Sequence, residues 1–139
     1  ARRGDLLDFH TRHKLLILSH SQAAYARMGK LLADMKTVSL RTLFDQYEAL
    51  LTDALRLGTT PKKNANVLQH MAGYFKKHLE AAERQELKEV IDQYRTGLIP
   101  LIVPVTLLRH YVRKYDQPYL KEQIYLTPHP LELRLRNHV

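Results

Sequence analysis

The spacing of apolar residues constrains this chain most, because it follows the period of an α-helix along almost the whole length. Apolar side chains recur every three or four positions, which places them on one face of a helix. We find no alternating strand pattern, no internal repeat and no low-complexity linker. The 139 residues suffice for one domain with a real core. We therefore predict an all-α fold: one compact helical domain spanning residues 1–139, with about five main helices and short C-terminal helical segments.

Residues that begin and end helices divide this pattern into segments. Ser39 is a good N-cap for the second helix, Gly58 ends that helix, and Pro61 suits the first turn of the third. The predicted helices cover approximately residues 6–35, 39–55, 61–79, 81–96 and 104–115, with a short helix near 119–125. The apolar stretch 98–108 contains two prolines and is too short to span a bilayer. We predict that this stretch is a buried, extended crossover into a helix that begins near Pro104.

The overall charge narrows the classes of partner. The chain has a formal net charge of +8 and a pI near 9.8, which favours nucleic acid, an anionic membrane surface or a phosphorylated ligand. It contains no cysteine, which excludes disulfides, thiolate zinc sites and cysteine-ligated iron–sulfur clusters within it. We expect no cofactor in this chain and a cytoplasmic location. The first residue is not Met, which is consistent with a piece of a longer polypeptide.

The positive charge is concentrated in the basic segment, Arg56–Leu79, which holds five Lys or Arg and no Asp or Glu. On the predicted third helix, its apolar residues share one face: Val67, Leu68, Met71, Phe75 and Leu79. A stripe on the other side contains Lys63, Asn66, His70, Gly73 and Lys77. This stripe offers cations, hydrogen-bonding groups and a gap at Gly73, which suit a phosphate backbone. A solvated amphipathic face explains the same pattern equally well.

A second basic face is predicted on the fifth helix, where Arg109 and Arg113 are one turn apart. If the third and fifth helices lie side by side, the two faces form one patch. Tyrosines near both faces could stack on unpaired bases, although we assign Tyr94 and Tyr111 to the core. We expect the patch lysines to be exposed and to contribute little to stability. The candidate RNA-binding residues are Lys62, Lys63, Asn66, His70, Lys77, Arg109, Arg113 and Lys114, with Arg12, Lys14, Arg134 and Arg136 as secondary candidates.

Histidines supply the alternative interpretation. His10 and His13 lie one helical turn apart, so they could chelate a metal or, with His70, carry out acid–base chemistry. The sequence contains no HExxH pattern, nucleophile motif, Gly-rich phosphate loop or paired-carboxylate signature. A small stand-alone enzyme or metal-dependent protein is therefore the weaker hypothesis, and we predict no metal site. We also rank membrane binding below RNA binding, because the apolar helix faces are needed for the core.

Four motifs resemble the YbgA-like family, a domain of unknown function. They are FHTRHKLLILSHSQ, KNANVLQHMAGYFKKHL, YRTGLIPLIVPVTLLRHYVRKY and YLTPHPLELRLRNHV, and they lie across almost the whole chain. Lys63, Asn66, His70 and Lys77 all lie within the second motif. The resemblance extends to proteins in which this domain follows a half that resembles the thiouracil desulfidases.

The resemblance implies a function for the domain within such fusions. These fusions are associated with removing sulfur from 4-thiouridine in tRNA, and their desulfidase half uses a cysteine-bound iron–sulfur cluster. The resemblance therefore implies an RNA-binding module, with tRNA as its partner, that positions tRNA for a fused or partner desulfidase domain. No desulfidase half is present in this chain. We expect this chain alone to lack the cluster and the activity. A module that docks on its catalytic partner through protein contacts is a further alternative.

Overall fold

The computed structural model describes residues 2–127, and within them it contains helices and no strand. The helices are α1 (Arg3–His20), α2 (Gln22–Ala33), α3 (Leu40–Arg56), α4 (Pro61–Gly73), α5 (Ala81–Arg95), α6 (Ile102–Lys114) and α7 (Pro118–Lys121). Two short 3-10 segments are also present, Met35–Thr37 and Ile124–Leu126. The predicted all-α fold is confirmed. Two secondary candidates, Arg134 and Arg136, lie outside the described residues.

The predicted first helix is wrong in one respect, because it divides into α1 and α2 at Ser21. Ser21 has an extended backbone, with φ −159° and ψ 114°, which a continuous helix cannot contain. Its hydroxyl accepts a hydrogen bond from the backbone N–H of Ala24 at 3.0 Å. Serine often competes with the helical backbone in this way, and it acts here as the N-cap of α2.

The predicted third helix is also too long, because α4 ends at Gly73 and the chain continues in tight turns. The backbone N–H of His78 donates to the carbonyl of Phe75 at 2.8 Å, which is a turn rather than a helical bond. Phe75 and Leu79 are nevertheless buried, as the apolar pattern predicted. Lys77 therefore lies in the turn after α4 and not on the helical stripe to which it was assigned.

The segment before α6 does not form the predicted buried crossover. Leu98 is 74% exposed, and Gly97 has a φ of +85°, a conformation that favours glycine. The helix then begins at Ile102, so that Pro104 lies in its first turn, where backbone N–H groups lack helical acceptors. No helix in the described part of the chain combines the length and the hydropathy that crossing a bilayer requires.

The core consists of two clusters that share α1. The smaller cluster joins α1 to α2 and α3 through residues such as Ile17, Met28 and Leu43. The larger cluster joins α1 to α4, α5, α6 and the C-terminal 3-10 segment, and it includes Leu68 and Phe75. Tyr94 and Tyr111, which were assigned to the core, both lie in the larger cluster.

Two buried side-chain amides connect the helices of the larger cluster. The side chain of Asn64 in α4 donates to the hydroxyl of Tyr94 in α5 at 3.2 Å and accepts from the hydroxyl of Tyr125 at 2.8 Å. The amide of Gln123 donates to the carbonyl of Thr11 at 2.6 Å and accepts from the N–H of Leu15 at 3.3 Å. Both amides are fully buried, so their hydrogen bonds fix α4, α5 and the C-terminal segment relative to α1.

We predict that Asn64→Ala lowers the free energy of unfolding by about 1–3 kcal/mol, because it removes two buried hydrogen bonds, one to the hydroxyl of Tyr94 and one to that of Tyr125. Asn66→Ala is the matched control, since Asn66 is two residues away, half-buried and on the outer side of α4. Urea denaturation of both variants measures the difference. An equal effect of the two substitutions would contradict the role assigned to the Asn64 amide.

Candidate nucleic-acid interface

Three lysines of the basic segment are exposed and form no ion pair among residues 2–127. They are Lys62 at the start of α4, and Lys76 and Lys77 in the turn that follows it. Arg56 differs, because its guanidinium lies 3.8 Å from the carboxylate of Asp53. The segment contains no acid, so nothing within it offsets the charge of the three lysines. Lys76 was not among the residues predicted from the sequence, because the predicted helix continued to residue 79 and its basic stripe did not include Lys76.

The outer face of α4 keeps three residues of the predicted stripe, Asn66, His70 and Gly73, and Lys62 joins them there. Lys62, His70 and Gly73 are exposed, and Asn66 is half-buried. The helical period places all four within one arc, opposite the buried side of the helix. The arc offers one ammonium, one amide and one imidazole to a ligand, with no side chain at Gly73.

Lys63 has a structural role that the sequence did not indicate. Its ammonium donates to the carbonyl of His20 at 2.9 Å and to the carbonyl of Gly58 at 3.0 Å. His20 is the last residue of α1, so its carbonyl has no helical donor. The ring of His20 also bonds the carbonyl of Leu57 at 2.6 Å. Lys63 thus fastens the end of α1 to the loop between α3 and α4.

The candidates on α6 are in two different situations. Arg109 and Arg113 are exposed, and with Lys121 they line a small groove of about 170 Å³. Lys114 instead forms an ion pair with Glu83 of α5, with 2.9 Å between Nζ and Oε2. The hydroxyl of Tyr115 donates to the same carboxylate. These hydrogen bonds, first from Lys114 and then from Tyr115, lower the pKa of Glu83 to about 2.

The helices that carry the two basic faces, α4 and α6, contact each other directly only over a short stretch. α5 packs against both α4 and α6, while α4 and α6 share a shorter contact. Just after α4, the buried ring of Phe75 lies near that of Tyr111 in α6, with 6.2 Å between the two centroids. Beyond it, the rings of His78 and Tyr115 approach to 5.9 Å. The predicted arrangement, with these two helices side by side, is therefore met only by a short contact, and a single merged patch stays a prediction.

A stacked pair of tyrosines lies beside the end of α4. Tyr74 is 42% exposed, and its ring stacks on that of Tyr119 with 4.9 Å between centroids and 22° between planes. Lys14 places its ammonium 6.0 Å from the ring centroid of Tyr25. Burial, followed by the neighbouring Tyr74, raises the pKa values of Tyr25 and Tyr119. Because Tyr74 and Tyr119 are distant in sequence, helical spacing alone could not predict their stacking. The secondary candidate Arg12 is exposed on α1.

The histidines do not assemble into the alternative site. His10 is buried, and its Nδ1 lies 3.0 Å from the hydroxyl of Tyr47. His13 is half-buried, with its ring stacked on Phe9 at 3.9 Å, while His70 is exposed on α4. Among residues 2–127, no group of three or more His, Cys, Asp or Glu is arranged to hold a metal ion.

We predict that His10 makes the protein less stable in mild acid. Burial, followed by the charges of Lys14 and His13, lowers the pKa of His10 from 6.5 to about 4. The imidazole of His10 therefore binds a proton more tightly in the unfolded chain than in the folded protein. The free energy of unfolding consequently falls as the pH drops below 6.5. The loss between pH 7 and pH 5 should be about 2 kcal/mol, measured by urea denaturation.

Two variants test this assignment. His10→Leu should remove most of the pH dependence in this range, because the residue no longer titrates. Tyr47→Phe removes the hydrogen bond to His10 but should keep the pH dependence. Glu83, whose pKa is about 2, remains charged throughout the measurement. The same pH dependence in His10→Leu as in the parent would show that another group causes it.

We also predict that Lys63→Met lowers the free energy of unfolding by about 1–3 kcal/mol, because two backbone carbonyls lose a charged donor. This corrects the expectation that all the candidate lysines contribute little to stability. Lys62→Met is the matched control. Its exposed side chain forms no ion pair among the described residues, so the effect should stay within about 0.5 kcal/mol. Thermal and urea denaturation of both variants measure the difference, and equal stability would contradict the fastening role.

The sequence of the chain has recognisable relatives. Residues 14–130 match the model of the family described as "Protein of unknown function (DUF1722)". The chain is also 38% identical over 136 residues to "Uncharacterized protein YbgA" of Escherichia coli (strain K12), an alignment that covers 97% of this chain and 80% of that protein. No solved structure matches the chain. The chain therefore belongs to the DUF1722 family of YbgA-like proteins.

Proposed function

We propose that this domain binds RNA, with tRNA as its partner, and positions it for a fused or partner desulfidase that acts on 4-thiouridine. One observation carries the RNA-binding part of the proposal. Lys62, Lys76 and Lys77 are exposed within a segment that has no acidic residue, and none forms an ion pair in the described part of the chain. Uncompensated lysines of this kind are available to replace the counterions of a phosphate backbone.

The surroundings of these lysines suit RNA better than a generic polyanion. His70 and Asn66 add neutral hydrogen-bonding groups on the outer face of α4. Tyr74 and Tyr119 add a partly exposed aromatic stack beside that face. Aromatic side chains and cations together are the usual means of holding unpaired bases and their phosphates. The choice of tRNA and of the desulfidase partner rests on the family resemblance. A cytoplasmic location follows from that choice.

The proposal assigns different roles to the cations. Lys62, Lys76 and Lys77 contact phosphates, and Arg109 and Arg113 extend the contact along α6. Lys63 and Lys114 have partners within the protein, so their contribution to RNA binding is smaller than their charge alone would indicate. The desulfidase chemistry belongs to the partner domain, because this chain has no cysteine to ligate an iron–sulfur cluster.

We predict that the triple variant Lys62→Ala, Lys76→Ala and Lys77→Ala binds tRNA more weakly and with less dependence on salt. Each phosphate contact contributes about 0.9 to the slope of log affinity against log salt concentration. The triple variant should therefore lower the slope by about three contacts. Fluorescence anisotropy with labelled tRNA over a range of potassium chloride concentrations measures both quantities.

A control with the same change in net charge separates local contacts from overall attraction. Lys30, Lys36 and Arg41 are exposed on the α2–α3 side and form no ion pair among residues 2–127. Their triple substitution by Ala should leave the salt slope close to that of the parent. If both triple variants lose affinity equally, the basic segment has no special role in binding. If the affinity of the parent for tRNA does not change with salt concentration, RNA binding through Lys62, Lys76 and Lys77 is rejected.

A further inference from the structure

A groove between α4 and α5 lies beside the proposed RNA-binding lysines, and one of those lysines, Lys76, lines it. It encloses about 300 Å³, which is at the lower end of the range for small-ligand sites. Its apolar lining comes from Ala72, Leu79, Leu87 and Ile91. Gly73, the last residue of α4, contributes backbone without a side chain.

The rim of the groove carries more positive than negative charge. Lys76, Arg84 and Lys88 line it together with a single acid, Asp92. The guanidinium of Arg84 donates to the carbonyl of Leu79 at 3.0 Å, which holds the arginine at the edge of the groove. Gln69 adds an exposed amide from α4. An occupant of this groove would thus meet apolar walls, cations and a few hydrogen-bonding groups.

A nucleotide has the chemistry that these groups would recognise. Its base is flat and largely apolar on both faces, its edge carries hydrogen-bond donors and acceptors, and its phosphate is anionic. The apolar lining suits the base, Gln69 and Asp92 suit the base edge, and Lys76 and Lys88 suit the phosphate. A fatty acid matches less well, because its chain would leave the amide of Gln69 without a partner.

We propose that this groove binds one unpaired nucleotide of the RNA held by the basic segment. The base lies against Leu79, Leu87 and Ile91, and the adjoining phosphate contacts Lys76 and Lys88. This inference rests on the proposed RNA binding and adds a preference for RNA with an unpaired base. Lys76 belongs to both the groove and the basic segment, which places the bound nucleotide next to the phosphate contacts.

Gly73 makes the proposal directly testable. A Cβ built on Gly73 meets no atom within 4 Å, and the residue does not have a positive φ. A larger side chain at this position therefore begins in open space, on a residue that lines the groove, rather than in the protein core. Gly73→Leu should obstruct the groove and leave the fold intact, which circular dichroism checks. Lys88→Ala is a second variant, which removes a proposed phosphate contact without placing a larger side chain in the groove.

The experiment compares three RNAs: a short duplex, the same duplex with one bulged uridine, and that duplex with an abasic residue at the bulge. The parent should bind the bulged RNA about tenfold more tightly than the other two, since stacking of one base is of this order. Gly73→Leu should lose this preference. Lys88→Ala should weaken binding of the bulged RNA. A 2-aminopurine at the bulge should change its fluorescence with the parent and not with Gly73→Leu.

The possible failures are distinguishable. If the parent binds all three RNAs equally, or Gly73→Leu keeps the preference, the groove proposal is wrong while the salt-dependent RNA binding stands. If the parent binds none of them and also fails to bind tRNA, both proposals fall. If dodecanoate perturbs the amide signals of Gly73 and Lys88 while the bulged RNA does not, the groove is a site for acyl chains and the nucleotide assignment is overturned.

Discussion

The buried amide of Asn64 is the interaction on which the candidate site depends most. It bonds the hydroxyls of Tyr94 and Tyr125, so it fixes α4 against α5 and the C-terminal segment without access to water. α4 displays the basic segment's outer face, and the space between α4 and α5 forms the groove. A shift of α4 would therefore change both surfaces together. An apolar residue at this position could fill the space, but it would not set the direction of α4, because apolar contacts are not directional.

Lys63 and Lys114 show why charge in the sequence overstates the charge available to a ligand. The break at Ser21 leaves the carbonyl of His20, at the end of α1, without a helical donor. The ammonium of Lys63 donates to this carbonyl and to that of Gly58 in the α3–α4 loop. Lys114 faces Glu83, whose carboxylate also accepts from Tyr115. Both ammonium groups stabilise contacts between helices. A phosphate that reached them would have to compete with these partners, whereas Lys62, Lys76 and Lys77 have no such competition from within the described residues.

The sequence predicted the helices well where apolar spacing and capping agreed. Ser39 begins α3, and α5 ends within one residue of its predicted limit. The predicted helix limits are wrong where a side chain or a turn interrupts the helix although the helical spacing of apolar residues continues. Ser21 interrupts the first predicted helix in this way. Phe75 and Leu79 are buried as predicted, but they lie in turns after α4 and not in a helix. The family was identified because its motifs are contiguous. The Tyr74–Tyr119 stack and the groove could not be predicted, because they join residues whose proximity depends on tertiary packing.

The proposed RNA-binding surface has two parts, one that would attract RNA through charge and one that would distinguish an unpaired nucleotide from a paired one. In the proposed function, Lys62 at the start of α4 and Lys76 and Lys77 after its end attract any phosphate backbone, and they carry little information about sequence or shape. In the proposed arrangement the groove is different, because its apolar lining accepts a base only when that base leaves its stack. Gly73 lies at the boundary between these two surfaces, because it lines the groove and is exposed on the outer face of α4 without a side chain. A module built in this way would hold structured RNA by charge and select, among the structured RNAs that it meets, those with an accessible unpaired nucleotide. That selectivity is what a partner enzyme acting on a single base would require of it.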